Sequence, residues 1–82
     1  MKWRKVQGKG WFPRDEWRAK VKGWILTVAS FTEFPERDIA GYYVMARNGE
    51  LIFNSAWIEA GDTTFNTPEE AIDFAERWVE VQ

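Results

Sequence analysis

The first 24 residues hold the side chains best suited to contact a polyanion. They contain four of the six tryptophans and eight of the eleven Lys and Arg residues. Arg18, Lys20 and Lys22 alternate along the chain, and alternate residues of a β-strand share one face. Tyr43 and Arg47 join that face if neighbouring strands pair in order. Lys and Arg contact phosphates and aromatic rings stack on bases, so this set predicts a nucleic-acid-binding surface.

The same cations also have a purely structural interpretation. Lys and Arg on the outer face of a strand keep the strand soluble and protect a sheet edge from unwanted pairing. The net charge of −2 nevertheless hides a division, because residues 1–22 carry eight cations and two carboxylates, whereas the remainder carries three cations and eleven carboxylates. Charge asymmetry of this kind indicates a charged partner.

Catalytic chemistry has few candidates in this chain. There is no Cys and no His, so the usual general base at neutral pH and the usual thiol nucleophile are missing. Ser30 and Ser55 have no candidate base beside them in the sequence, and the Cys and His ligands of zinc and haem sites are missing too. The sequence therefore predicts no enzyme activity, no cofactor and no metal site.

The six tryptophans divide into two groups. Trp17, Trp24 and Trp78 recur in phase with neighbouring apolar residues, which predicts that they belong to the core. The other three have no such phase and are candidate binding anchors, with the alternative that they cover the second face of the sheet; they are Trp3, Trp11 and Trp57.

The C-terminal segment "TPEEAIDFAERWVE" predicts a helix from residue 68 to about 80. Thr67 is the N-cap, Pro68 takes the first helical position, and Glu70 completes a capping box. The apolar residues recur at helical spacing and predict a buried stripe: Ala71, Ile72, Ala75, Trp78 and Val79, with Phe74 at the margin. The opposite side is acidic. Glu69, Asp73 and Glu76 form a candidate docking face for a basic partner, or simply a solvated face.

Two turn signals predict two β-hairpins. Asn48-Gly49 lies between apolar runs and suits a type I′ turn, which would pair Arg47 with Glu50 and Ala46 with Leu51. Lys22-Gly23 would pair Val21 with Trp24 in the same way. A single long strand with a bulge at Gly23 is the alternative for that segment.

These elements predict one α+β domain over residues 1–82. Its sheet is an antiparallel meander of about four strands over residues 17–57, near 17–21, 24–31, 41–47 and 50–57, with one C-terminal helix at 67–80 packed on it. Residues 1–16 form a basic N-terminal segment, in which "KWRKV" is a candidate for an extra edge strand.

Several phrases together resemble small Trp-rich proteins encoded by phages and prophages: "KWRKV", "WRAKVKGWILTV", the Asn-Gly hairpin and "TPEEAIDFAERW". The resemblance is one of residue types and covers most of the chain. It implies an accessory protein of the host cytoplasm, some relatives of which would inhibit host defences by binding. The phrase "TFNTPEEAIDFAERW" is also similar to the strand-to-helix step of integrase arm-type DNA-binding domains, although those domains carry many more Arg residues on their sheet.

The resulting expectation is a non-enzymatic interaction module, encoded by a phage or mobile element, that binds a host protein. The alternative is a nucleic-acid-binding domain that uses the basic face of the sheet. No apolar run approaches the length of a membrane span, so we expect a cytoplasmic protein without membrane contact. The sequence leaves the oligomeric state open.

Overall fold

The computed structural model describes residues 1–7, 15–34, 39–61 and 63–82. It has one five-stranded sheet, a short 3-10 helix at Ile58–Ala60 and one C-terminal α-helix. The strands are β1 (Arg4–Gln7), β2 (Asp15–Val21), β3 (Trp24–Phe34), β4 (Ile39–Asn48) and β5 (Leu51–Asn54), and the helix is α1 (Pro68–Glu80). Neighbours in sequence are neighbours in the sheet, and every pair is antiparallel. The α+β class and the meander are therefore confirmed.

The sheet has five strands because the candidate edge strand forms beside the four that were expected, and its last strand is shorter than predicted. The segment "KWRKV" contributes β1, which pairs with β2 along the edge. The strand expected at 50–57 ends at Asn54. The next residue, Ser55, bonds to β4 with its side chain as well as its backbone, so the regular strand pairing stops there. The Ser55 N–H donates to the Val44 carbonyl and the Ser55 hydroxyl accepts from the Val44 N–H, both at 2.9 Å. Phe65 then pairs with Tyr42 through two further hydrogen bonds of 2.9 Å.

The β2–β3 hairpin has the predicted turn and register. Lys22 and Gly23 occupy its two central positions with φ of 53° and 81°, the signs that a type I′ turn requires. Val21 lies opposite Trp24, as expected from the sequence. The alternative of one long bulged strand is thus wrong.

The β4–β5 hairpin has a different turn from the one predicted. Asn48 lies opposite Leu51 and Arg47 opposite Ile52, so the central residues are Gly49 and Glu50. Gly49 has a φ of 62° and neither neighbour has a positive φ, which suits a type II′ turn with Gly at its first central position. Each partner is displaced by two residues from the predicted register. Because a strand repeats every two residues, the side chains of β4 and β5 keep the faces that the predicted pairing gives them, whereas Glu50 moves from the strand into the turn.

The helix begins as the capping signals predict. The Thr67 hydroxyl accepts a hydrogen bond from the Glu70 N–H at 3.2 Å, and Pro68 is the first helical residue. Small side chains at Ala71 and Ala75, together with Val79, are buried against the sheet. Their size lets α1 approach β3 and β4 closely. Among the described residues, no helix has both the length and the apolar character needed to cross a lipid bilayer.

The core lies between α1 and one face of the sheet. Its fully buried strand residues come from β3 and β4: Leu26, Val28, Val44 and Ala46. Aromatic rings close its sides, with Trp78 edge-on to Trp24 at a centroid distance of 4.9 Å and stacked on Phe53 at 4.8 Å. The expectation that Trp17, Trp24 and Trp78 belong to the core is confirmed, since all three pack against its buried residues.

Candidate binding face

The strand register separates the sheet into two faces. The core face is covered by α1, and the face turned away from α1 is called the distal face. Direct cross-strand partners share a face, so the distal face collects alternate residues of all five strands: Arg4, Val6, Glu16, Arg18, Lys20, Ile25, Thr27, Ala29, Tyr43, Met45, Arg47, Ile52 and Asn54.

Exposure on the distal face depends on distance from the hairpin turns. The row nearest the turns runs across four strands as Lys20, Ile25, Arg47 and Ile52, and all four are exposed. Farther from the turns, Glu16 and Ala29 are buried even though they lie on this same face. The accessible part of the distal face is therefore the half beside the turns.

The row beside the turns places a cation between two aliphatic side chains. Ile25 and Ile52 lie directly opposite Arg47 on its two sides, and they are 44% and 50% exposed. The Arg47 Nε donates to the Gly49 carbonyl at 3.2 Å, which draws the guanidinium toward the turn. This row can present apolar area and a fixed cation to one partner at the same time.

Positive charge accumulates at one corner of the distal face. Arg4 and Arg18 are direct cross-strand partners, and Lys20 lies two residues beyond Arg18 on the same face. The guanidinium of Arg18 contacts the carboxylate of Glu16 at 2.9 Å, and the Glu16 side chain is only 5% exposed. A buried carboxylate thus holds the exposed guanidinium in place.

A depression lies at this corner, where β1 begins beside β2. Its volume is about 610 Å³, and seven described residues line it: Lys2, Trp3, Arg4, Arg18, Ala19, Lys20 and Ile25. Four of them are cations and none is acidic. The depression also reaches Ile25, and therefore adjoins the row beside the turns.

Of the basic and aromatic residues that the sequence singles out, four share the distal face: Arg18, Lys20, Tyr43 and Arg47. Tyr43 is half-buried there. Lys22 does not join them, because it occupies the turn, where the alternation of the strand stops. Its Nζ lies 3.5 Å from the Glu80 carbonyl, at the C-terminal end of α1, where a cation is favoured by the helix dipole.

The three candidate anchor tryptophans have different positions. Trp3 is half-buried against the core, and its Nε1 donates to the Glu76 Oε1 at 3.2 Å, so it ties β1 to α1 and is not an exposed anchor. Trp57 is 45% exposed in the loop that follows β5. Trp11 lies outside the described residues.

The acidic stripe of α1 lies on the opposite side of the molecule from the distal face. Glu69 and Asp73 are exposed, and Asp73 pairs with Arg77 at 3.1 Å. Glu76 is half-buried and accepts the hydrogen bond from Trp3, so the alternative of a purely solvated face does not hold for this residue. Within the described ranges, no three acidic side chains are placed to hold a metal ion.

Two corner cations escaped the sequence interpretation. Lys2 and Arg4 belong to the corner only because β1 pairs with β2. The signal that could have found them is the alternation in "KWRKV", which places Lys2 and Arg4 on one side and Trp3 and Lys5 on the other. Comparison with known proteins adds no further residue, since no family model, curated protein or solved structure matches this chain.

Proposed function

We propose that this protein is a non-enzymatic interaction module that binds another protein through the exposed half of its distal face. The observation that carries the proposal is the row in which Ile25 and Ile52 flank Arg47. Arginine is enriched in the buried centre of protein interfaces, whereas other charged residues are depleted there. Two exposed aliphatic residues beside an arginine therefore suit a protein partner.

The partner presents an acidic surface. Among the residues that the structure describes, every charged side chain on the exposed half of the distal face is a cation, whereas the stripe on the outer side of α1 is acidic. Because the sheet separates these charges, an acidic partner approaching the distal face is attracted, and the helix is held away from it. The resemblance to phage-encoded proteins makes a protein of the host cytoplasm the expected partner.

Nucleic-acid binding is the second candidate function. It is favoured by Arg18, Lys20 and Arg47 sharing one face. It is disfavoured by the aliphatic side chains between them, because base stacking uses aromatic rings. The thirteen carboxylates of this small domain also repel a long polyanion.

The test is affinity capture from the source cell after nuclease treatment, at about 150 mM salt. We expect the variant Arg47→Ala/Ile52→Ala to lose the partner. The matched control is Arg77→Ala/Leu51→Ala, which also removes one arginine and one exposed aliphatic side chain but leaves the distal face intact. Both variants change only exposed residues, so their unfolding free energies should stay within about 0.5 kcal/mol of the parent.

Two results would contradict this proposal. One is equal retention of the partner by both double variants, which would place the contact elsewhere. The other is submicromolar binding to generic duplex DNA that weakens steeply with salt. Four phosphate contacts would give a slope of about −3.6 in a plot of log affinity against log salt. That result would favour the second candidate function.

A further inference from the structure

We propose that the depression at the β1–β2 corner is a carboxylate-binding site, which receives an acidic segment of the partner protein. It is lined by Lys2, Arg4, Arg18 and Lys20. This inference rests on the proposed function and adds to it the position and the chemistry of one contact. Its volume of about 610 Å³ lies within the roughly 300 to 1,000 Å³ typical of ligand pockets.

Several cations lie close together at the corner, and their mutual repulsion does not help the protein to fold. Arg4 and Arg18 lie directly opposite each other on neighbouring strands, and like charges in that position destabilise a sheet. Lys20 follows on the same face, and none of the described residues that line the depression is acidic. Glu16 pairs with Arg18, and a bound anion would relieve the repulsion that remains among the corner cations.

The neighbouring Lys5 serves as a comparison, because its charge has partners within the fold. Its Nζ lies 3.9 Å from the Asp15 carboxylate and 5.4 Å from the centre of the Trp17 ring. Lys5 thus has an acidic and an aromatic partner on the core face. Arg4, one residue earlier, instead lies directly opposite Arg18, with Lys20 and Glu16 at the two diagonal positions, and Glu16 already pairs with Arg18.

Arg18 is the residue most clearly arranged to receive an anion. Its guanidinium contacts the buried carboxylate of Glu16 at 2.9 Å while about half of its side chain stays exposed. A guanidinium has five donors in a planar fork, so the contact with Glu16 leaves donors for a second carboxylate. Fixing the side chain in this way reduces the entropy lost on binding.

The apolar lining favours an acidic peptide over a nucleic acid. Ala19 and Ile25 offer aliphatic surface, and the Trp3 indole is held by the core and by Glu76, so it is not a free stacking platform for a base. Ile25 lines both the depression and the row beside the turns. An acidic segment bound at the corner therefore reaches Ile25, and it leaves Arg47 and Ile52 to a separate part of the same partner.

The experiment measures binding of a fluorescent oligo-glutamate peptide to the full chain by fluorescence anisotropy at low ionic strength. The corner variant is Arg4→Gln/Lys20→Gln. The matched control is Lys5→Gln/Lys22→Gln, which removes the same charge from the same region but on the core face and in the turn. We expect the corner variant to bind about tenfold more weakly and the control to bind within about twofold of the parent.

Further arms separate this inference from the proposed function. Arg47→Ala/Ile52→Ala should keep oligo-glutamate binding, even if it loses the partner protein. Equal weakening by the corner variant and its control, or no measurable binding by the parent, would overturn the carboxylate site. Tighter binding of an oligo-thymidylate of matched charge, at the same ionic strength, would overturn the choice of ligand. Circular dichroism and urea unfolding check that each variant is folded.

Discussion

The two faces of the sheet use the same strands for different purposes. On the core face, Leu26, Val28, Val44 and Ala46 are fully buried under α1. On the distal face, the residues beside the hairpin turns remain exposed, and they include both cations and aliphatic side chains. Folding accounts for the first pattern, because burial of apolar area is its main driving force. It does not account for the exposure of Ile25 and Ile52, and this is the reason for our proposal that the second pattern serves binding.

The two faces of the sheet also differ in the role of the polar side chain that each of them buries. Ser55 is fully buried at the edge of the core face, and both its N–H and its hydroxyl bond to the backbone of Val44. Glu16 is buried on the distal face, where its carboxylate contacts an exposed arginine. The buried serine completes the sheet, whereas the buried glutamate positions a charge at the surface.

The largest effect should come from breaking the core face. Trp78 contacts both Trp24 and Phe53 at ring distances below 5 Å, so Trp78→Ala should lower the free energy of unfolding by about 3 to 5 kcal/mol. Urea denaturation followed by circular dichroism measures this loss. The control is Trp57→Ala, which removes a ring that is 45% exposed and should change the stability by less than about 1 kcal/mol. Similar losses in both variants would contradict the assignment of Trp78 to the core.

The elements that the sequence predicts best are those with a local chemical signal. Lys22-Gly23 and the Thr67-Pro68 cap each specify a backbone conformation within a few residues, and both structures form as expected. The faces of β4 and β5 are also as predicted, because an error of two residues in register leaves the alternation unchanged.

What the sequence does not predict depends on contacts between distant residues. The sequence offers β1 as a candidate edge strand, but its partner and position are decided by its pairing with β2 and by the hydrogen bond from Trp3 to Glu76, which are 73 positions apart. The end of β5 is decided by the hydrogen bonds of Ser55 to β4. The alternation within single strands and the two hairpins predict that Arg18, Lys20 and Arg47 share one face. Arg4 and the depression beside it depend on the pairing of β1 with β2, which no local signal specifies.

A smaller effect should follow from removing the buried hydroxyl at the edge of the core face. Ser55→Ala leaves the Val44 N–H without its acceptor, and an unsatisfied buried donor costs about 1 to 3 kcal/mol. The control is Ser30→Ala, since the Ser30 hydroxyl makes only a long, exposed contact of 3.5 Å with the Asp15 carbonyl. We expect urea unfolding to show a clear loss for Ser55→Ala and almost none for Ser30→Ala. Equal stability of these two variants would mean that the Val44 N–H finds another acceptor.

The smallest effect should be an increase in the free energy of unfolding. It tests whether the cations of the distal face destabilise the fold. Arg4→Gln removes a like charge directly opposite Arg18, so the free energy of unfolding should rise by about 0.2 to 1 kcal/mol at low salt. The gain should shrink near 1 M salt, where the Debye length is only about 3 Å. Lys5→Gln, one residue further along β1, should instead lower the stability or leave it unchanged, because Lys5 loses Asp15 and the Trp17 ring. A loss of stability in Arg4→Gln that is insensitive to salt would show that Arg4 contributes packing to the fold, and the like-charge argument for the corner would fail.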